Sequence, residues 1–423
     1  MKKILAISVL TLTVSTHAVS AQETGEITRL PESLRPFLAR VIEGHPRTAS
    51  AVAAISRARA EATVATQPLY NPELELGAEP VVGSPPDTDL YTTYSASISM
   101  AVDVSGKRGL RSSIGGLQAK VAEAEAHAAQ LALAADTFAA LADVHASRQR
   151  LDFATKQAEL AEKFLELSER RQKAGELPAA DFGAAQLAAA EAISAQKDAE
   201  FALVQSEEAL RTTCLCDIDK APPLPRDLPA PPKLSETLIE EIASGRPEVL
   251  SARQQAESAK QSLALARAQR IPDPSVKLGA SKEGQEKRVL LGLSIPIPVL
   301  NTGSAEVSAA GRALTQAEVA ERQATLENAA AIRAAGRSYQ RAVQTLEAWQ
   351  RVGVPSLEKQ SELLTKLWRA GELSATDFLV QLRETARANS TEIDLREAAW
   401  DAFAGLLKAV NRSPFVGVFK DEE

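Results

Sequence analysis

A ten-residue stretch occurs twice in this chain, and its repetition limits the fold more than any other feature. Lys173-Ala174-Gly175-Glu176-Leu177-Pro178-Ala179-Ala180-Asp181-Phe182 is answered, at a constant offset of 196, by Arg369-Ala370-Gly371-Glu372-Leu373-Ser374-Ala375-Thr376-Asp377-Phe378. Basic residue, Ala, Gly, Glu, Leu, Asp and Phe keep their order and spacing. Long stretches of helical periodicity flank both copies. A Gly between two helices ends the first in a left-handed turn, where a β-carbon is costly. Ser374 predicts an N-cap for the next helix, with Asp377 three residues on as the acidic half of a capping box. Pro178 takes that place in the first copy, since Pro is tolerated at a helix start. Both copies therefore read as tight tips joining antiparallel helices.

The rest of the chain repeats around these tips. Leu34 to about Thr66 has helical spacing and stops at Pro68 and Pro72. Residues 73–79 alternate polar and apolar with period two, and residues 90–102 collect β-favouring side chains. With the loop from Pro80 to Asp89 they predict a hairpin. From Gly106 to Gly175 small and apolar residues recur in steps of four and three, from Leu110 and Ile114 through Leu131 to Phe138 and Ala142. That is a heptad seam, and its phase shift near His145 is a stutter. A helix over this stretch is about 100 Å long. It cannot bury itself in a compact domain and needs partners of similar length. Two shorter helices, at 178–214 and 235–268, supply that length in halves. A second hairpin follows, with strands at about 275–282 and 288–297 turned at Gly284. A second long helix from Gly303 to Gly371 and a closing helix over 374–411 complete the chain.

Other marks repeat as well. His45-Pro46 pairs with Arg246-Pro247 at an offset of 201, and Asn71-Pro72 with Asp273-Pro274 and Gly77 with Gly279 at 202. The chain thus reads as a duplication. Its repeats cover 34–220, with a tip at 173–182, and 233–411, with a tip at 369–378; a Pro-rich linker at 221–232 joins them. Residues 1–21 read as an export signal: Lys2 and Lys3, an apolar run from Ile4 to Val14, then Val19 and Ala21 at the spacing a signal peptidase accepts. No Cys near that site suggests a lipid anchor. Residues 22–33 read as a flexible lead and 412–423 as a tail.

Composition excludes several functions. Aromatic residues are only 4% of the chain, which suits close-packed helices better than a globular core of large side chains. The formal charge is −7 with no basic patch, so no nucleic-acid partner is expected. Neither a Gly-x-Ser-x-Gly elbow nor a phosphate loop occurs, so neither an enzyme nor a cofactor is expected. His45, His127 and His145 are scattered and Met100 stands alone, which predicts no dedicated metal site. No run of roughly 20 apolar residues predicts a membrane helix. Cys214 and Cys216 flank a single residue, and a bridge so short is expected to be strained. They read as small apolar residues at a helix end or as a redox-labile pair.

Strands of about ten residues match a tilted membrane span. Backbone groups in lipid are satisfied by a strand only in a closed barrel. Four strands cannot close one, but several chains contributing four each can. The pattern resembles the TolC-like outer-membrane efflux proteins over roughly residues 34–411. The duplicated unit, both Gly tips with their following Asp and Phe, and the Asn/Asp-Pro pair before each hairpin carry the resemblance. Asp103-Val104-Ser105-Gly106-Lys107-Arg108 is similar to the Gly-Lys-Arg exit from the first hairpin in the heavy-metal, CzcC-like branch. Ser294 to Gly303, with Pro296 and Pro298, resembles that branch's Pro-x-Pro exit from the second hairpin. Asn301-Thr302 stands where that branch usually has Arg-Asn.

The resemblance implies a mainly α fold with membrane β. A homotrimer would form a twelve-stranded β-barrel, four strands per chain, continued by a long α-helical coiled-coil tunnel. It also implies a place in the outer membrane of a Gram-negative bacterium, in contact with its lipid and extending into the periplasm. The partners implied are a periplasmic adaptor (membrane fusion) protein and an inner-membrane pump of the RND type. The chain would be a passive exit duct, with divalent heavy-metal cations as the branch's cargo. Drug efflux and type I secretion are the alternatives within the duct reading; a periplasmic coiled-coil scaffold without a pore is the alternative outside it.

Residue by residue, Asp181 and Asp377 match the family's tip acids, which implies carboxylates at a gated aperture. Helix capping is the other reading of the same two residues. Glu176 and Glu372 add acids there, or are solvated charge. Ala174, Gly175 and Leu177, with Ala370, Gly371, Leu373 and Ser374, match the tip where an adaptor docks. Turn geometry alone explains the glycines, but Leu177 and Leu373 at exposed tips suggest a contact. Some members hold the closed state through a basic residue at the position of Leu373, so that lock is not expected here. Gly106, Lys107, Arg108, Pro296, Pro298 and Gly303 mark the junction of barrel and helix. Lys107 and Arg108 read as solvated charge or as contacts with the membrane interface.

Overall fold

A computed structural model describes residues 33–82, 90–370 and 372–411. The expected export signal, nearly all of the lead, the loop at 83–89, Gly371 and the tail lie outside them. The first half runs α1 (Arg35–Gly44), α2 (Pro46–Thr66), β1 (Glu73–Val82), β2 (Leu90–Ala101), α3 (Lys107–Lys173) and α4 (Ala179–Cys214). The second runs α5 (Glu236–Ser244), α6 (Pro247–Gln269), β3 (Ser275–Glu283), β4 (Glu286–Ser294), α7 (Ser304–Ala370) and α8 (Ala375–Val410).

Several expected boundaries move, each for a local reason. The helices expected over 34–66 and 235–268 are each broken in two. His45 and Arg246 precede prolines and take extended ψ angles of 135° and 140°, because the residue before Pro is pushed out of the helical region. β1 continues through Pro80 to Val82 instead of stopping at 79. Pro is tolerated there because β1 is an edge strand. β4 starts at Glu286 and ends at Ser294, short of the expected 297, since Pro296 has no N–H to donate to a ladder.

Helices α3 and α7 have 67 residues each, about 100 Å of helix. Along α3, the half nearer the strands packs on α2 and α6 and the far half on α4 and α8; α7 is flanked by α5, α6 and α8. The largest cluster of buried side chains gathers midway along the helices. Phe138 lies edge-on to Trp400 and Phe403 at ring-centroid distances of 5.8 and 5.7 Å, and Tyr339 is tilted against Phe403 at 5.3 Å. The Pro-rich segment is part of this layer and not a free linker. Leu224 is buried in it, and the Tyr339 hydroxyl donates to the Pro229 carbonyl. Five of the aromatics, Phe37, Phe138, Tyr339, Trp400 and Phe403, thus share one level of the helices.

Cys214 and Cys216 form a disulfide, with Cα atoms 5.1 Å apart. Of the two readings of this pair, small apolar residues or a redox-labile pair, the bridge excludes two free thiols, and Leu215 accommodates it. Its left-handed φ of 50° turns the chain back at the end of α4 and brings both Cα atoms within the usual range for a bridge.

The four strands form one antiparallel sheet in the order β1-β2-β3-β4, so β1 and β4 are its edges. Side chains alternate between faces along a strand, and register aligns the faces across the sheet. Leu74, Ile98, Leu278 and Leu291 form one row; Leu76, Ala96, Ala280 and Val289 form the next. Met100, Val276 and Leu293 add a third row on the same face. This face is uncovered: Leu74 is 70% exposed and Leu291 77%. The opposite face carries Glu73, Glu75 and Glu79, Ser95, Ser97 and Ser99, Lys277 and Ser281, with Leu290 as an apolar exception. Gly77 and Gly279 permit close strand approach there, since a β-carbon would meet Ser95 Oγ at 2.6 Å and Ser97 Cβ at 2.9 Å. The sheet is apolar where it meets the surroundings on one side and polar on the other.

Candidate functional site: the tips and the sheet-to-helix junction

At the first tip Gly175 has φ +75°. The Glu176 amide donates to Arg171 O at 2.9 Å and the Gly175 amide to Gln172 O at 2.9 Å, which satisfies two carbonyls that the end of α3 would leave open. The second tip repeats the longer bond, from the Glu372 amide to Leu367 O at 3.0 Å. Ser374 caps α8: its Oγ accepts the Asp377 amide at 3.1 Å and donates to Asp377 Oδ2 at 2.6 Å. Pro178 precedes α4 with no side-chain cap. The Thr376 hydroxyl reaches Asp181 Oδ1 at 3.4 Å, a weak link that sets the two tips side by side.

Leu177 and Leu373 are half-buried and not bare. They pack on a tip cluster that includes Phe164, Leu364, Phe378 and Leu379. Phe164 and Phe378 stack with ring centroids 5.0 Å apart. This packing within the chain accounts for two apolar residues that the sequence left as a sign of an outside contact. Ala174, Glu176, Ala370, Glu372 and Ser374 are exposed. The surface the tips present is therefore small, polar and acidic, carried on an apolar interior.

The reading of Lys107 as solvated or membrane-facing charge is corrected at the junction. The Lys107 ammonium lies 2.9 Å from Asp273 Oδ2, with side chains only 10% and 4% exposed, and donates to Ile271 O at 2.8 Å. Tyr70 donates its hydroxyl to the same Asp273 oxygen at 2.7 Å. Burial pushes the Asp273 carboxyl up, but hydrogen bonds from Lys107 and Tyr70 and the charge of Lys107 outweigh it and hold it below the usual carboxylate range. One carboxylate thereby ties the segment before β1, the start of α3 and the segment before β3. Arg108 is exposed and donates from Nε to Thr66 O at 2.6 Å, closing the end of α2.

Gly106 and Gly303 take φ +73° and +67° where the exit segments turn into α3 and α7. Asp103 holds the first turn, accepting the amides of Ser105 and Arg108 at 3.2 and 2.8 Å. Asn301 does this for the second, accepting the Gly303 amide at 2.9 Å.

Two further polar features carry no signature in a sequence pattern. Arg246 is buried and donates to Lys408 O at 2.6 Å and Asn411 O at 2.7 Å, closing the end of α8. Arg150 on α3 reaches Asp394 at 2.7 Å and Glu397 on α8. Nearby, the surrounding helices partly desolvate the Asp401 carboxyl, which still reaches solvent, and with the charges of Asp143 and Glu397 push it up to about 6. Among the described residues no group of three or more His, Cys, Asp or Glu side chains is placed to hold a metal ion, and no helix is long and apolar enough to cross a membrane.

A sheet with one bare apolar face, continued by helices about 100 Å long, is a rare combination. The sequence pattern of the outer membrane efflux protein family matches residues 38–214 and 238–412. The chain belongs to that family. Its members are channels, not enzymes, so the family places this chain with outer-membrane efflux ducts. No curated protein matches the sequence. Solved structures agree in fold. A membrane protein from Pseudomonas aeruginosa superposes with a TM-score of 0.79 at 16% identity, covering 97% of each chain. The CmeC outer membrane channel of Campylobacter jejuni gives 0.77 at 14% identity, covering 98% of this chain and 96% of its own. CusC gives 0.75 at 17%, covering 90% and 92%. At such identities the likeness speaks for the fold alone.

Proposed function

We propose that this efflux family member is one third of a trimeric exit duct in the outer membrane of a Gram-negative bacterium, working with a periplasmic adaptor and an RND-type inner-membrane pump. The observation that carries this reading is the sheet. Its apolar face is uncovered, its polar face is lined by Glu, Ser and Lys, and its edges β1 and β4 each pair on one side only among the described residues. Unpaired edges invite another chain, and lipid demands that every edge be closed. Three copies close twelve strands with the polar faces inward around water.

The helices extend that lumen into the periplasm, and the tips form its far end. Asp181 and Asp377 place carboxylates there that attract cations, while the exposed Ala174, Glu176, Ala370 and Glu372 offer the adaptor its contact. The duct supplies no energy. Solute moves down its gradient once the pump has loaded it. The strand exits at Asp103–Arg108 and Ser294–Gly303 resemble those of the heavy-metal branch, apart from Asn301-Thr302, and on that resemblance divalent heavy-metal cations are the proposed cargo, passed along without coordination.

The test is extraction. The mature protein should leave membranes only in detergent, run as a trimer and conduct ions in a planar bilayer. A monomer released by plain buffer eliminates the duct in favour of a scaffold. A deletion strain should become more sensitive to cobalt, zinc, cadmium or copper, and unchanged tolerance to all four overturns the cargo.

A further inference from the structure

We infer that the lipid-facing belt of this duct does not end with its strands: the exit segments 102–104 and 295–299 lie in the acyl chains of the inner leaflet. This rests on the reading of the sheet as a barrel wall.

On β3 and β4 the apolar face has a sharp upper limit, whereas β1 and β2 pair on past that level through Pro80–Thr92 and Val82–Leu90. Tyr94, Lys282 and Lys287 form the row toward the hairpin ends, and two ammonium groups there mark the level of the headgroups. Below this limit the strands supply three apolar rows, the last being Met100, Val276 and Leu293. Rows on one face are about 6.7 Å apart along a strand. The apolar band of an outer-membrane barrel is about 25 Å tall, and its strands tilt by roughly 40°. A band of that height takes about five rows at this spacing and tilt. β3 and β4, with three such rows between them, therefore stop about two rows short of that band.

The chain beyond them supplies both. The Val102 amide donates to Pro274 O at 2.9 Å, so pairing of the β2 and β3 segments continues past the end of β2. Val102 and Val104 keep the parity of Ile98 and Met100. Ile295 and Ile297 keep the parity of Leu291 and Leu293, at exposures of 54% and 78%. Pro296 and Pro298 have no N–H that would need a ladder partner, and the segment turns only at its end, where the Val299 amide donates back to Ile297 O at 2.9 Å.

A second observation, independent of the apolar pattern, agrees. One charge pair at this level is withdrawn from the surroundings, while Arg108 and Arg270 remain exposed with bonds to Thr66 O and Thr302 O. Lys107 and Asp273 are buried against each other, and Asp103 spends its oxygens on backbone amides. Ionisable groups at membrane depth are paired in this way.

The experiment places single tryptophans on the belt, at Leu291 within the strand and at Ile297 beyond it. The purified trimer is reconstituted in phosphatidylcholine vesicles carrying bromine either deep in the acyl chain or close to the headgroup. Wild type, with Trp349, Trp368 and Trp400 on the helices, gives the background. L291W should be quenched most by deep bromine and I297W most by shallow bromine. I295W, one row closer to the strand, should fall between them and serves if I297W fails to assemble. Quenching of L291W without any quenching of I295W or I297W overturns the inference and leaves the barrel standing. A blue-shifted I297W that no bromine reaches overturns it in favour of cover by a neighbouring copy. If L291W is also unquenched, the barrel reading itself has failed.

Discussion

Breaking the Lys107–Asp273 pair tests the junction most directly. The charges are 2.9 Å apart, and at an effective dielectric of about 20 their attraction is about 6 kcal/mol before desolvation is subtracted. Removing one partner leaves the other buried and unpaired, which costs about 3–5 kcal/mol. Unfolding entropy of about 2.1 cal/mol/K per residue, over roughly 380 residues, makes that a fall of about 4–6 °C in melting temperature. Lys107→Met and Asp273→Asn should each show it by helical circular dichroism in detergent. The double variant should lose far less than the sum, because neither orphaned charge remains.

The same pair predicts a pH dependence. A carboxyl whose folded pKa is depressed stabilises above its unfolded value of about 3.9 and loses that contribution as pH falls through the folded value. The advantage of wild type over Asp273→Asn should thus be full at neutral pH and shrink below about 4. Single variants that each melt within about 1 °C of wild type, or losses that simply add, would refute the account of Lys107 as a buried clamp.

The tips and the mid-helix acids give three further expectations. Asp377→Ala removes a group bonded to Ser374 and a tip charge together; it should cost about 0.3–1 kcal/mol of first-turn stabilisation and also alter cation block in single-channel recordings. Lowered stability with unchanged conductance would reduce Asp377 to a cap. Gly175→Val forces a β-branched residue to φ +75°, a strain of at least about 1–2 kcal/mol, and should impair adaptor capture while detergent-extracted trimers persist; loss of the trimers would make the tip purely structural. Asp401 has its carboxyl raised to about 6, so its folded-state contribution is complete below its unfolded pKa and is lost as pH rises through 6. Asp401→Asn should therefore raise the melting temperature at about pH 8 and leave it unchanged below about pH 4, checked by melts across that range.

What could be read from the sequence was whatever depends on local chemistry and period. Gly175 announced its left-handed turn because a β-carbon is penalised there, and Ser374 announced its cap through the spacing to Asp377. Glu73 to Glu79 announced a two-faced strand through alternation alone. What was missed depends on groups distant in sequence. Lys107 and Asp273 are 166 residues apart, and a lysine after a glycine at a helix start looks no different from a solvated one. The Cys214–Cys216 bridge depended on one backbone angle at Leu215, which no propensity favours. The packing of Leu177 and Leu373 over the stacked Phe164 and Phe378 spans the two halves of the chain and so had no local signature.

These misses share a cause that bears on how the duct is built. An Ala-rich helix pair has little apolar area per residue to lock its register, and a seam that slides by one turn loses little of it. Register must then be set at a few levels by contacts that do not slide. The structure has three such levels: the stacked rings at the tips, the aromatic layer midway with Arg246 closing α8, and the Lys107–Asp273–Tyr70 node under the sheet. Each joins the two halves of the chain, and each uses a side chain rare in the helices around it. Helices pinned at separated levels can still twist between them, and Pro355, which breaks the backbone ladder inside α7 below the aromatic layer, sits where such a twist meets least resistance. Pro355→Ala should restore that bond and stiffen the tip half of α7. The measurable consequence is slower amide exchange confined to the residues around 351–359. Exchange unchanged there would mean that the neighbouring helices, and not the missing bond, set the compliance of this wall.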